Sequence, residues 1–303
     1  MKKILLFMCV LAFVGARAQT LTDGLMMGKG TYCTGFLYSE DSWKKYWEGT
    51  LNRENANIGT VTTRMLTYVG NYGVTAKLNV IAMVPYVWTK TDQGTLSPME
   101  GVQDLTIGVK YKFYEKEFSG GKFKAFGLLS GSIPLTNYSP DFLPLSLGLQ
   151  SKTFAPRLNV NYSMNNGFYA TMSGAYVMRS NIKLDRPSYY TDDQLFLTDE
   201  VAMPDQFSFF GSIGRIKNGL QLELNYTQQN TLGGGDIRRQ DMPFASNRMN
   251  YGKLGALAMY YMPFHKNIAV RGAYMYTIAG RNVGQSSTWM AGLMYTFHFA
   301  KQL

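Results

Sequence analysis

The sequence predicts an all-β fold, a transmembrane antiparallel up-and-down barrel of about twelve strands with long extracellular loops and short periplasmic turns. Three observations carry that reading. Apolar residues recur at every second position over long stretches, short and long connections alternate along the chain, and the composition suits a sheet with one face in lipid. The 303 residues include 31 Gly, 21 Tyr and 18 Phe against 10 Pro, with 17% charged side chains, which excludes disorder and collagen. The average is too polar for a helical membrane protein, and beyond the N-terminus no apolar run reaches the roughly 18 residues a membrane helix needs.

Taken from the start, Lys2 and Lys3 precede the apolar stretch Ile4 to Val14, and Ala16-Arg17-Ala18 sets small residues at the spacing a signal peptidase reads. Residues 1–18 therefore read as a cleaved secretory signal and 19–303 as the barrel, with Gln19 the first mature residue. Cys9 leaves with the signal. Cys33 then stands alone, which excludes an intramolecular disulfide and a cysteine-based metal site. Loss of Lys2, Lys3 and Arg17 lowers the formal charge from +10 to +7. Export argues against a nucleic-acid partner, so the excess is expected inside a pore or on loops. The stretch from Gln19 to Lys29 reads as too short for a plug.

The clearest strand runs from Val74 to Trp88, with Val74, Ala76, Leu78, Val80, Ala82, Val84, Tyr86 and Trp88 on one side and Thr75, Lys77 and Asn79 on the other. Leu105, Ile107, Val109, Tyr111 and Phe113 alternate with Asp104, Lys110 and Lys112. Leu220 to Tyr226 oppose Gln221 to Thr227, Ile268 to Ile278 oppose Arg271, and Trp289 to Phe299 oppose Met290, Thr296 and His298. Less regular strands are expected near 28–39, 58–69, 122–135, 153–164, 168–180, 206–217 and 250–262.

Short connections are expected at Gly70–Gly73, Tyr114–Gly121, Asn165–Gly167, Lys217–Gly219 and Pro263–Asn267, two of them with the Asn-Gly signal of a tight hairpin. Those near 40–57, 90–103, 136–152, 181–205, 227–249 and 280–287 are mostly long and polar. This alternation is that of an outer-membrane barrel with both termini in the periplasm. A soluble β-sandwich would explain the amphipathic strands but neither their length nor the regular placement of the long loops. Twelve strands in one sheet also leave edges unprotected unless the sheet closes. Trp88 and Trp289 belong to the outer aromatic belt; Tyr261, Phe264, Phe297 and Phe299 cluster at the periplasmic ends.

Alternation places Lys77, Asp104, Lys110, Lys112, Arg157, Arg179, Glu223 and Arg271 on the lumen side, because Arg or Lys facing lipid at the midplane costs about 2–4 kcal/mol. They either pair across a packed interior or line a pore that modestly favours anions. An apolar patch inside is expected at Phe126 and Leu128, with Phe142 and Leu143 in a loop. Trp43, Trp47, Tyr189 and Tyr190 can capture apolar or sugar ligands by stacking, although packing of the loops over the mouth is the stronger reading.

Chemistry is sparse. His298 faces the lumen and His265 lies in a periplasmic turn; a lipid hydrolase would need a serine and an orienting amide within reach of a histidine, and a solvated lumen histidine is the better reading. Asp192-Asp193 with Asp199-Glu200 lacks calcium-loop spacing and reads as a solvated loop face. Gly233-Gly234-Gly235-Asp236 has no strand-to-helix context that would make it a phosphate cradle. Neither a cofactor nor a metal is expected.

Two resemblances add to this. Trp289 to Phe299 is similar to the C-terminal strand by which outer-membrane proteins are inserted, which implies the barrel-insertion machinery as a partner; Ala300-Lys301-Gln302-Leu303 after Phe299 departs from the usual terminal Phe. Tyr72-Gly73, Val84-Pro85-Tyr86, Gly101-Val102-Gln103-Asp104-Leu105, Gly108 to Phe113 and Ser132-Ile133-Pro134 resemble the meta-pathway phenol-degradation family of outer-membrane proteins. That resemblance implies a barrel related to channels for hydrophobic small molecules. The chain is accordingly expected to be a monomeric, non-enzymatic passive channel for small hydrophobic or aromatic solutes, in contact with outer-membrane lipid. The alternatives are a non-conducting structural or adhesive barrel and a barrel-embedded lipid hydrolase.

Overall fold

A computed structural model describes residues 19–238 and 243–299. The expected signal at 1–18 and the residues after Phe299 lie outside that range. Twelve long strands form the wall: β1 (Thr31–Trp43), β2 (Val61–Gly73), β3 (Leu78–Thr91), β4 (Asp104–Phe118), β5 (Gly121–Pro134), β6 (Thr153–Met164), β7 (Phe168–Arg179), β8 (Gln206–Lys217), β9 (Leu220–Thr231), β10 (Asn250–Tyr261), β11 (Ile268–Arg281) and β12 (Ser287–His298). Each pairs antiparallel with its neighbours in sequence, and β12 returns to β1 with Thr31 opposite His298 and Ser42 opposite Ser287. The sheet therefore has no free edge, which is what lets a strand wall stand in lipid, where unpaired backbone groups have no water partner.

Alternation assigns the two faces. Along β3, Asn79, Ile81, Val87 and Thr89 are buried toward the lumen, while Val80, Val84, Tyr86 and Trp88 point outward. The outward residues of other strands, among them Ile107, Val109, Leu129, Leu158, Leu222, Leu224 and Leu293, are exposed apolar side chains, as a lipid-facing surface requires. On this outer face Trp88 meets Tyr86 at 4.8 Å between ring centres and Trp289 meets Tyr274 at 4.4 Å, both pairs tilted.

The boundaries expected for β5 to β8, β10 and β12 fall within two residues of those observed, but β1 to β3 lie three or four residues further along. The reason is the use of glycine. Gly70 and Gly73 do not make the first turn; they are inside β2, and the turn is Val74–Lys77. A Cβ on Gly73 would lie 2.0 Å from the carbonyl oxygen of Gly28, so this glycine serves a close approach rather than a reversal. Lys77 is consequently exposed in a periplasmic turn and does not line the lumen. Strand β4 is longer than expected: a bulge between Lys112 and Tyr114 inserts Phe113, after which Glu115 faces Lys124 and Glu117 faces Lys122 on the lumen side.

The expectation that Gln19 to Lys29 is too short for a plug is overturned. The segment enters the barrel and crosses it. A Cβ on Gly24 would come 2.3 Å from the Asn161 side chain of β6, and Leu21 lies against Gly108 of β4. Met27 is buried with Cys33, Met259, Ala269 and Met294, all on inward faces, and Leu37, Val69, Leu257 and Tyr261 pack around them. Tyr261 thus belongs to this interior cluster rather than to the periplasmic belt.

Candidate functional site: the occupied lumen

Lys110 has no solvent-exposed surface, yet it carries a charge in the middle of a strand. Its partner comes from the N-terminal segment: Nζ donates to Asp23 Oδ1 at 2.9 Å and to the Asp23 carbonyl at 2.6 Å, and it lies 5.0 Å from the ring centre of Phe126. An ion that far from water needs such a partner, since removing one member of a buried pair costs about 3–5 kcal/mol. Asn159 of β6 donates to the Leu21 carbonyl at 2.9 Å, and Asn71 of β2 lies 2.6 Å from the Gln19 amide. The segment is thereby fastened to β2, β4 and β6 on one side of the lumen.

On the other side, between residues 20–25 and strands β8 to β12, a cavity of ≈110 Å³ remains. Its polar wall is Gln221, Glu223, Asn225 and Arg271; its apolar wall includes Phe210, Met259, Met275 and Met290. Tyr169 donates to Glu223 Oε2 at 2.6 Å and receives Gln221 Nε2 at 2.8 Å. Glu223 Oε1 has only Asn225 Nδ2, at 3.4 Å, and Arg271 Nε is shielded from solvent without a hydrogen-bond partner. Across the same wall, facing lipid, lies an apolar recess of ≈970 Å³ over Ala170, Ala256, Ala258 and Gly272.

The sequence-selected residues separate into groups. Lys110, Glu223 and Arg271 meet the N-terminal segment or the cavity beside it. Arg157 is also inward, with Nη1 donating to Ser173 at 2.8 Å. Lys112 pairs with Glu115 at the periplasmic rim. Asp104 and Arg179 sit at the opposite end: Asp104 accepts from Tyr138 at 2.5 Å, and Arg179 Nε donates to the Pro204 carbonyl at 2.6 Å. Burial and the nearby Asp104 carboxylate push the Tyr138 phenol well above its ordinary range, so it stays a donor. Phe126 and Leu128 are fully enclosed inside, whereas Phe142 is exposed and Leu143 packs against a loop cluster.

At the extracellular mouth the four aromatics part company. Tyr189 is buried, stacked between Phe196 at 5.0 Å and Phe244 at 5.2 Å, in a cluster with Ile182, Leu184, Val201 and Met203. Trp47 is buried against Gly280, where a Cβ would lie 2.4 Å from its ring, and Trp43 covers Gly284. Tyr190 is the exposed one. The first three are packing residues, and stacking capture by them would require the loops to open.

Sequence reasoning missed Asp23, Met27 and Asn282. Asp23 was available as the lone acid of its segment, whereas Met27 lies before the first strand, where no alternation signals which way it faces. Asn282 is a loop hub. Its Oδ1 accepts from Gly49 N at 2.8 Å and Ile237 N at 2.9 Å, and its Nδ2 donates to Asp236 at 2.7 Å and to the Arg248 carbonyl at 2.9 Å. Arg281 completes the knot with two bonds to Asp236 at 2.8 and 2.7 Å. His298 is at the periplasmic rim, its Nδ1 3.5 Å from Thr31 Oγ1. Among the described residues, no group of three or more His, Cys, Asp or Glu is placed to hold a metal ion.

A closed barrel of twelve strands with an outward apolar face and a charged interior defines an outer-membrane β-barrel. Residues 52–199, just under half of the 303, match the family described as putative MetA-pathway of phenol degradation. No curated protein matches the chain. Among solved structures it is similar to the COG4313 outer membrane channel from Pseudomonas putida F1, with 12% identity, 90% of this chain and 97% of that chain covered, and a TM-score of 0.70. The NanC porin matches with 9% identity, 86% and 98% coverage and a TM-score of 0.45. A deletion mutant of the TodX monoaromatic hydrocarbon channel matches with 10% identity, 90% and 91% coverage and a TM-score of 0.46.

Proposed function

We propose that this barrel is a passive outer-membrane channel for small, hydrophobic or aromatic molecules. The observation that carries the reading is the amphiphilic cavity beside the N-terminal segment, where methionine and phenylalanine side chains face a charged and amide-lined wall. A purely structural barrel has no need of an apolar chamber within a polar interior. Solute would enter between the extracellular loops, pass the cavity as residues 20–25 shift, and leave to the periplasm or sideways toward the apolar recess that backs the same wall. Export through a cleaved signal at 1–18, insertion guided by Trp289 to Phe299, a monomeric state and the absence of catalysis belong to this proposal.

One observation favours the non-conducting alternative: the N-terminal segment and the packed loops block the lumen at both ends. Flux into liposomes decides between them. Phenolic and other single-ring aromatic solutes are expected to enter protein-containing vesicles faster than empty ones, with sugars and amino acids excluded. No flux for any solute, both in the wild type and in a variant with the segment released, ends the channel reading. A hydrolase reading would instead require lipid cleavage that His298→Ala abolishes.

A further inference from the structure

We propose that the apolar recess on the outer wall across β7 to β12 seats one anionic phospholipid of the periplasmic leaflet, with an acyl chain in the recess and the phosphate on Arg215 and Lys217. The proposal needs the wall to stand in lipid and is independent of whether the lumen conducts.

The recess is a slanted groove. Phe168 lies opposite Arg215, Arg215 opposite Leu222, Leu222 opposite Ala258 and Ala258 opposite Gly272, all on the outer face. It begins at Phe168, the first residue of β7 beside a periplasmic turn, and ends against the Tyr274–Trp289 pair near the extracellular start of β12. Ala170, Ala256, Ala258 and Gly272 form its floor, while Ile213 and Leu224 stand beside them as full-sized side chains. The resulting space of ≈970 Å³ must be filled by something apolar, because wall atoms without neighbours forfeit their dispersion contacts. Five strand spacings of roughly 4.8 Å make the groove about 24 Å long. One leaflet of hydrocarbon is half of a roughly 30 Å core, about 15 Å, so an acyl chain lies lengthwise within it.

Charge selects the occupant. Arg215 is exposed, and its guanidinium carbon lies 4.8 Å from the ring centre of Phe168 at the mouth of the groove. Lys217, the next outward residue and the last of β8, is exposed as well. Among the described residues no carboxylate pairs with either. Both therefore sit at headgroup depth on the periplasmic side, where a charge facing lipid costs little. A guanidinium laid on a ring keeps its in-plane donors free to fork onto phosphate oxygens. Two cations without an acid favour a headgroup of net negative charge, and the ammonium of a zwitterionic headgroup would add a third cation beside them. The same charges disfavour a second copy as occupant, since a twofold contact sets each patch against its own equivalent and brings like charges together.

The test is native mass spectrometry of the full detergent-solubilised barrel, incubated with equal amounts of dioleoylphosphatidylglycerol and dioleoylphosphatidylethanolamine. One phosphatidylglycerol is expected to stay bound, favoured about tenfold or more over the zwitterionic lipid. Replacing both cations, Arg215→Gln with Lys217→Gln, should bring the two lipids to near parity. Ala258→Leu, which fills the floor and leaves the charges in place, should cut retention of phosphatidylglycerol about tenfold. Glycerol 3-phosphate, a phosphate without chains, should not displace the bound lipid. Each variant is checked by its resistance to unfolding in sodium dodecyl sulfate; if one fails, the wild-type preference and the competition decide alone. Equal retention of the two lipids by the wild type, no retained lipid, or displacement by glycerol 3-phosphate overturns the assignment. A stable dimer that Ala258→Leu dissolves would also overturn it, by making a second copy the occupant.

Discussion

The two closures of the lumen are built on different principles. Inside the barrel, residues 19–30 are held by a concentrated set of polar fastenings, chief among them the Asp23–Lys110 pair, beside one small apolar cluster around Met27. Outside, the loops are held by distributed packing: one cluster joins residues 143–149, 182–203 and 244–245, a second gathers Tyr138 and Leu147 onto Val87, and Asn282 ties residues 49, 236, 237 and 248 together. A concentrated fastening can be released by one event at one residue. A distributed one loosens piece by piece, and the barrel below it is indifferent. The segment is therefore the better candidate for the movable element and the loop cap for the standing one.

The largest expected effect follows from breaking the concentrated side. Asp23→Ala leaves Lys110 as a buried charge without its partner, a loss of about 3–5 kcal/mol. That is enough to expel residues 19–30 from the lumen, while the twelve-strand wall keeps its ladder. Single-channel recordings should show a larger and more frequent open current than wild type, and trypsin should cleave after Lys29 more readily. Unchanged current and unchanged cleavage would mean that packing of Met27 holds the segment by itself.

Asn282→Ala sharpens the other side. The variant loses two acceptor and two donor contacts in one residue, each worth about 0.5–1.5 kcal/mol net. The expected outcome is local: faster protease cleavage within residues 44–60 and 232–249, with the melting temperature of the barrel unchanged. A melting temperature lowered by as much as in Asp23→Ala would erase the contrast between cap and plug.

Much of this architecture was legible beforehand because strand alternation and connection length are local signals. Val80 to Trp88 declare a lipid face without reference to any other strand, and Asn218-Gly219 declares its own turn, with both residues at positive φ. Closure follows once every edge must pair. The interior was less legible, since whether Lys110 lines a pore or pairs depends on a residue 87 positions earlier that no pattern connects to it. Gly73 misled for a related reason: a glycine in sequence shows that a side chain is absent but not whether a turn or a neighbouring backbone requires the space. Likewise Trp47 and Tyr189 are the same residue types whether they capture a ligand or seal a loop, and only the surrounding Gly280, Phe196 and Phe244 decide.

The smallest expected effect is a pH dependence confined to the cap. Hydrogen bonds from Arg281, then Asn282, hold the Asp236 carboxyl below its ordinary value. A carboxyl depressed in the folded state adds stability that is fully present above its unfolded value of about 3.9 and is lost as pH falls through the folded value. Between pH 7 and 5 the loop knot should therefore not change, and below about pH 4 it should loosen. The pair is partly solvated, so the change is small and shrinks further in high salt. Hydrogen exchange at residues 235–238, corrected for the intrinsic pH dependence of exchange, should rise below pH 4 in the wild type and show no such step in Asp236→Asn.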